Sequence, residues 1–158
     1  MSRRSIEVAV IAVFVLALAT AAMAADDPFT GTWKRNMEKS ARRSGNPPKS
    51  ITDKFDLQGN VLKRVQNIVG ADGTARQNDL TSVLDGKDHP ITDNANLDSY
   101  QANRIDSNTI VIVLKKGGNK VRTDRLVVSK DRKTMTITRN DKNDQGQDTI
   151  YLSIYEKQ

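Results

Sequence analysis

The chain holds one histidine, His89, and no cysteine among its 158 residues, and those two facts bound the chemistry it can do. A nucleophile–base pair of the usual kind needs a histidine or its equivalent beside the attacking atom. His89 instead precedes Pro90 with Asp85, Asp88 and Asp93 around it, which is the composition of a polar turn. A zinc or iron centre would rest almost wholly on carboxylates. Asp141-Lys142-Asn143-Asp144-Gln145-Gly146 begins like a calcium loop, but Leu152 stands where the closing bidentate glutamate belongs. Gly117-Gly118 leads into a strand rather than a helix N-terminus, so it makes no phosphate cradle. No two acids are fixed at a separation that glycoside hydrolysis requires. The reading is therefore a non-enzyme with no catalytic residue, no metal and no cofactor. What the sequence does offer is polar contacts for a small molecule, and Tyr100, Tyr151, Ser153 and Tyr155 are the candidates.

The elements that must position them read as short strands. Gly and Asn/Asp clusters recur at Gln58-Gly59-Asn60, Gly70-Ala71-Asp72-Gly73, Asp85-Gly86-Lys87, Asp106-Ser107-Asn108, Gly117-Gly118-Asn119, Lys130-Asp131-Arg132 and residues 143–147. Such residues reach the backbone angles of tight hairpins, and a spacing of about 8–12 residues between turns is that of an all-β domain. Between the turns, apolar residues alternate: Ile51, Phe55 and Leu57; Val61, Val65 and Val69; Ile110, Ile112 and Leu114; Met135 and Ile137; Ile150, Leu152 and Ile154. A period of two predicts that these sets form the buried face. Val111 and Val113, with Leu126-Val127-Val128, make two strands apolar on both sides. The one helical feature predicted is a single turn over Asn36-Met37-Glu38-Lys39-Ser40, capped by Asn36 and ended by Pro47-Pro48. The fold expected is an antiparallel up-and-down β-barrel of about 8 to 10 strands with at most that one turn. A barrel of this strand number encloses either packed side chains or one small ligand.

Residues 1–24 are read as a signal peptide. Arg3 and Arg4 precede an apolar run over residues 8–22, and Ala22-Met23-Ala24 gives a small-x-small site with cleavage between Ala24 and Ala25. A Sec-type route fits better than a twin-arginine one, because Glu7 stands where the latter needs an apolar residue. The expected location is periplasmic or secreted, with no stable membrane insertion after cleavage. Residues 25–158 then form one barrel domain, held without disulfides. Cleavage removes Arg3, Arg4 and Glu7 and takes the net charge from +6 to +5. The lysines and arginines are scattered among acids, so nucleic acid is not an expected partner, and contact with anionic envelope polymers is expected to be weak at most.

Gly31-Thr32-Trp33-Lys34, near the start of that domain, resembles the Gly-x-Trp signature that opens the barrel in the calycin group, the lipocalins and fatty-acid-binding proteins. Tyr155-Glu156-Lys157 closes the chain much as fatty-acid-binding proteins close. The run Gly31-Thr32-Trp33-Lys34-Arg35-Asn36, Lys39-Ser40, Pro48-Lys49-Ser50, Asp85-Gly86-Lys87-Asp88-His89-Pro90-Ile91-Thr92, Arg104-Ile105-Asp106, Val127-Val128-Ser129 and Tyr155-Glu156-Lys157 resembles small exported bacterial lipocalin-like proteins of unassigned function. The resemblance implies that Gly31 and Trp33 plug the closed base of the barrel, with Arg125 or Arg139 against the indole. It also implies a small hydrophobic or amphiphilic ligand. Fatty-acid-binding proteins hold a carboxylate with Arg-x-Tyr on the last strand, and here Ser153-Ile154-Tyr155 replaces that arginine by serine. Arg104, Arg122 or Arg125 is then the expected source of charge, and no pair of helices fits between Met37 and Pro48 as a lid. The function expected is an exported barrel that carries or sequesters such a ligand. The alternative is an envelope interaction or inhibitor module with a packed barrel, engaging a partner through the loops at residues 42–49 and 85–96.

Overall fold

The computed structural model describes residues 27–41, 46–92, 94–142 and 145–158. The segment read as a signal peptide, its expected cleavage point, Arg42, Arg43, Asp93 and the Asn143-Asp144 part of the calcium-like loop lie outside the described residues. The described residues form ten strands and no helix: β1 (Gly31–Asn36), β2 (Ser50–Gln58), β3 (Val61–Val69), β4 (Ala75–Val83), β5 (Asp85–Pro90), β6 (Ser99–Asp106), β7 (Thr109–Lys116), β8 (Asn119–Val128), β9 (Thr134–Lys142) and β10 (Asp148–Lys157). All are antiparallel in one sheet, ordered β4-β3-β2-β1-β10-β9-β8-β7-β6-β5. The sheet curls until its edges, β4 and β5, come together without a shared ladder among the described residues. Val83 N donates to Tyr100 Oη at 3.1 Å across the seam region, while Leu84 N, which donates to Asn60 O at 2.7 Å, extends the β3–β4 ladder. The result is a nearly closed barrel, as the turn spacing predicts.

Most predicted turns fall between strands. One does not: Asp85-Gly86-Lys87 lies inside β5, where the register to β6 slips between Asp85 and Asp88. Gly86 has φ +74°, and a Cβ there would stand 2.5 Å from Asn103 Oδ1, so glycine is what lets the bulge form. The Asn36 turn forms as a hydrogen-bonded turn rather than a helix. Asn36 Oδ1 accepts from Glu38 N and Lys39 N at 3.1 and 2.9 Å, as a capping side chain does. Ser40 Oγ then accepts from Ile154 N at 3.0 Å and Ala41 N donates to Leu152 O, which ties this segment to β10.

Two predicted faces are inverted. On β3 the inward residues are Leu62, Arg64, Gln66 and Ile68, opposite Leu57, Phe55, Asp53 and Ile51 of β2, so Val61, Val65 and Val69 face out. On β10 the inward residues are Tyr151, Ser153 and Tyr155, and Ile150 is 72% exposed. The period is right in both strands; the phase is not, because in each the more apolar set lies outside.

The core sits at one end of the barrel, around Phe29, Trp33, Phe55, Leu57, Leu62, Ile110, Val128 and Met135. Trp33 is fully buried, and its indole N–H donates to Phe29 O at 2.8 Å, the acceptor a buried indole requires. The cation against it is not Arg125 or Arg139. Lys157 Nζ lies 5.1 Å from the Trp33 ring centroid, and Gly31 makes room for it, since a Cβ at Gly31 would stand 2.8 Å from Lys157 Cε. Arg125 faces solvent on β8, and Arg139 is bound elsewhere.

Candidate functional site

Above this base the interior opens into a cavity of about 1770 Å³, larger than the ~300–1000 Å³ of ordinary ligand pockets. The packed interior that the interaction-module alternative calls for is therefore not present. The floor of the cavity is apolar: Phe55, Leu62, Ile112, Leu126 and Ile137 line it, with Ile51, Ile68 and Leu114 higher up. Met37, Ala41, Pro47 and Pro48 line its mouth. Leu80 of edge strand β4 also lines it while remaining 52% exposed, because β4 has no neighbour on its far side.

The same strands change character on the way up. On β2 the inward series Leu57, Phe55 is followed by Asp53, fully buried. Arg64, inward on β3, donates from Nη2 to Asp53 Oδ2 at 2.7 Å, and its guanidinium lies 5.5 Å from the Phe55 ring centroid. Tyr155 of β10 and Arg35 of β1 complete this group; they are opposite one another in register. Burial first, and then the Asp53 charge, push the Tyr155 hydroxyl well above the usual tyrosine range, with Arg64 and Arg35 opposing. Tyr155 is thus a neutral donor at any ordinary pH. The Nε atoms of Arg35 and Arg64 are buried without a hydrogen-bond partner.

A second group stands on β8 and β9. Arg139 Nε and Nη2 grip Asp124 Oδ1 and Oδ2 at 2.8 and 2.9 Å, the bidentate geometry of a strong pair. Arg122 Nη2 lies 3.2 Å from Asp124 Oδ2. Burial favours loss of the Arg139 proton, but the Asp124 bonds and charge outweigh it and raise Arg139 above its ordinary range. Among the described residues the inner wall thus carries Arg35, Arg64, Arg122 and Arg139 against Asp53 and Asp124, with the Asp141 charge also acting on Arg139. Glu38, Lys49, Asp72, Arg76 and Asp79 stand nearer the mouth.

Of the residues singled out in the sequence, Tyr100, Tyr151, Ser153 and Tyr155 all line the cavity. Tyr100 also braces the seam, where its hydroxyl accepts from Val83 N and its ring stacks on His89 at 5.3 Å. His89 Nε2 meets Asp85 Oδ1 at 2.9 Å, and this bond, followed by the Lys87 amide, lowers the Asp85 carboxyl below its usual range. Arg104 and Arg125 are not in the cavity wall. Arg104 points inward but at the base, where it binds Asp27 and the carbonyls of Asp106 and Ser107. Arg125 sits between inward Asp124 and Leu126 and points out. Arg122, an expected source of charge, does line the cavity, and Arg139 stands there in place of its expected position against the indole; Asp53, Arg64 and Asp124 are not among the residues that sequence reasoning selects. The signal of these charged centres is a charge in phase with apolar neighbours, as in Ile51-x-Asp53-x-Phe55, Asp124-x-Leu126-x-Val128 and Ile137-x-Arg139.

Comparison with solved structures gives the same architecture. The chain is similar to a Schistosoma mansoni fatty acid binding protein in complex with arachidonic acid, at 12% identity and TM-score 0.55, covering 83% of this chain and 96% of that one. It is similar to the fluorescent protein UnaG at 15% identity and TM-score 0.56, covering 82% and 97%. A zebrafish ileal bile acid-binding protein complexed with cholic acid follows at 10% identity and TM-score 0.50, covering 83% and 99%. At these identities the likeness is one of fold, and the fold is that of the fatty-acid-binding proteins. No family model and no curated protein matches the sequence.

Proposed function

We propose that this barrel is an exported carrier or sequestering protein for a small amphiphile with an acidic end. The observation that carries the reading is the cavity itself, about 1770 Å³ with an apolar floor and an upper wall that carries Arg35, Arg64, Arg122 and Arg139. The apolar body of the ligand lies against Phe55, Leu62, Ile112, Leu126 and Ile137, where burial supplies affinity in proportion to area. The acidic end rises to the arginines, which bind oxyanions through charge-assisted hydrogen bonds. Tyr100, Tyr151, Ser153 and Tyr155 add hydrogen bonds along one side. The arachidonic acid and cholic acid of two similar structures are each an acid with a large apolar surface, which supports this ligand class. The apolar run over residues 8–22 supports export.

The test is uptake of an anionic fluorescent amphiphile by protein purified without detergent, followed by displacement with long-chain acids and with the matching alcohols. Saturable uptake, displaced better by acids than by alcohols, is expected. No uptake, or equal displacement by both, would remove the acidic-amphiphile reading. When the full chain is expressed in an exporting host, the intact mass of the purified protein is expected to correspond to a start at Ala25.

A further inference from the structure

We infer that Arg35 is the residue that takes the acidic end of the ligand, so that preference for an acid over the matching alcohol resides on β1; this rests on the ligand-binding reading above. Besides Arg76 at the mouth, four arginines line the cavity, and three of them stand against a carboxylate of the protein. Arg64 donates to Asp53 Oδ2 at 2.7 Å, Arg139 grips both oxygens of Asp124, and Arg122 lies 3.2 Å from the same carboxylate. Arg35 makes no ion pair among the described residues. Its hydrogen bond to the protein runs from Nη2 to the Ala41 carbonyl at 3.2 Å, and a carbonyl orients a guanidinium without neutralising it.

The setting of Arg35 is built for this task. Ala41 N donates to Leu152 O at 2.8 Å and Ser40 Oγ accepts from Ile154 N at 3.0 Å, so the carbonyl that holds the guanidinium is itself fixed to β10. A donor held in place before the ligand arrives lowers the entropic cost of binding. The side chain is also partly desolvated. Its Nε is buried without an acceptor, and Tyr155, opposite in register, is buried and neutral. A charge in such surroundings without a counter-ion is unfavourable, and an oxyanion at the remaining Nη1 group supplies one through a charge-assisted bond. Glu38, the acid nearest in sequence, is exposed at the mouth and makes no ion pair with Arg35. Arg76 is exposed on edge strand β4 beside Asp72, whose carboxyl feels its charge, and water screens charges there. Arg35 has the inward phase of Trp33 and stands about 7 Å further up β1, so an acid held by it leaves the apolar body of the ligand free to reach the floor.

The experiment is displacement of a neutral fluorescent amphiphile by a long-chain carboxylic acid and by the matching alcohol, on the purified protein and on Arg35→Gln, Arg35→Lys and Arg125→Gln. Arg125 points outward, so its substitution removes the same net charge without touching the cavity. Arg35→Gln is expected to weaken the acid by roughly 10-fold or more and to leave the alcohol unchanged, which also shows that the barrel is folded. Arg35→Lys keeps the charge but loses the planar fork and should fall between, while Arg125→Gln should match the wild-type protein. Nuclear magnetic resonance of the wild-type protein with isotope-labelled arginine gives a direct readout. The Nε–H signal that is missing from Arg35→Lys should move when the acid is added and stay in place with the alcohol. An acid preference undiminished in Arg35→Gln, equal loss of acid and alcohol in that variant, or an Arg35 signal unmoved by bound acid would overturn this inference and leave the carrier reading standing. No acid preference in the wild-type protein would overturn both.

Discussion

The two ends of this barrel are built from the same strands and obey opposite rules. At the base, inward residues are apolar and touch one another, as with Trp33, Phe55, Leu62, Ile110 and Met135. Toward the mouth, the same inward phase carries Asp53, Arg64, Arg122, Asp124 and Arg139. Alternation dictates which way a side chain points, and depth in the barrel dictates what it can be. The base holds the fold closed; the upper half gives up part of its stability to charges that a packed core would not tolerate. Stability and binding should therefore separate along the strands.

The largest break in that comparison is at the base. Trp33→Ala removes a fully buried indole and is expected to cost about 3–5 kcal/mol, read as a shift in urea unfolding followed by circular dichroism. A cost below about 1 kcal/mol would mean the base is not the seat of stability. Arg64→Leu tests the cavity from the other side. It strands the Asp53 carboxylate in a fully buried position and is expected to cost about 3–5 kcal/mol, most of it recovered when Asp53→Leu is added. If the double substitution is no more stable than the single one, the pair is not coupled and the two-rule picture fails at this point. Leu80→Ser, at the open edge, is expected to change stability by less than about 0.5 kcal/mol. It should weaken an apolar ligand by about 1 kcal/mol, roughly fivefold. Equal effects on both would place Leu80 in the core instead of the mouth.

The opposed rules also explain what could be read in advance. Strand number and meander order follow from local signals, turn residues at regular spacing and a period of two, whereas the Trp33 plug follows from the family resemblance that Gly31 and Trp33 carry. The phases of β3 and β10 do not, because choosing the buried face by apolarity assumes a dry interior. Along β3 that choice selects Val61, Val65 and Val69 over Leu62, Arg64, Gln66 and Ile68, and along β10 it selects Ile150, Leu152 and Ile154 over Tyr151, Ser153 and Tyr155. In a barrel around a wet, charged cavity the more apolar face of such a strand lies outside. Arg104 and Arg125 lie outside the cavity wall for a related reason. Which arginine reaches the cavity depends on strand register and on depth, and neither is written in composition. Arg104 has the inward phase but sits at the depth of Asp27 and Phe29, and Arg125 has the outward phase. The two Asp–Arg centres could have been found by looking for charges that keep step with apolar neighbours, which on a strand marks a buried polar network.

The smallest effect expected separates the hairpins from the cavity by pH. Asp72, Asp98 and Asp106 each accept a turn amide, from Thr74, Gly117 and Asn108 respectively, and these bonds hold all three carboxyls below the usual aspartate range. Asp131 is lowered likewise, first by the Ser129 hydroxyl and then by the Lys133 amide. A carboxyl whose folded pKa is depressed contributes stability that is present above its unfolded pKa and is lost as pH falls through the folded one. Stability should thus decline in acid, below about pH 4, and the hairpins should account for the decline. Tyr155 runs the other way. Its folded pKa is raised above the usual tyrosine value, so its contribution is intact below that value and is lost as pH rises beyond it. Urea midpoints measured across both limbs check the assignment: Asp98→Asn should flatten the acid limb alone, and Tyr155→Phe the alkaline limb alone. If Tyr155→Phe leaves the alkaline limb unchanged, the hydroxyl beside Asp53 is hydrated rather than buried, and the cavity wall is wet down to the level of that first charged centre.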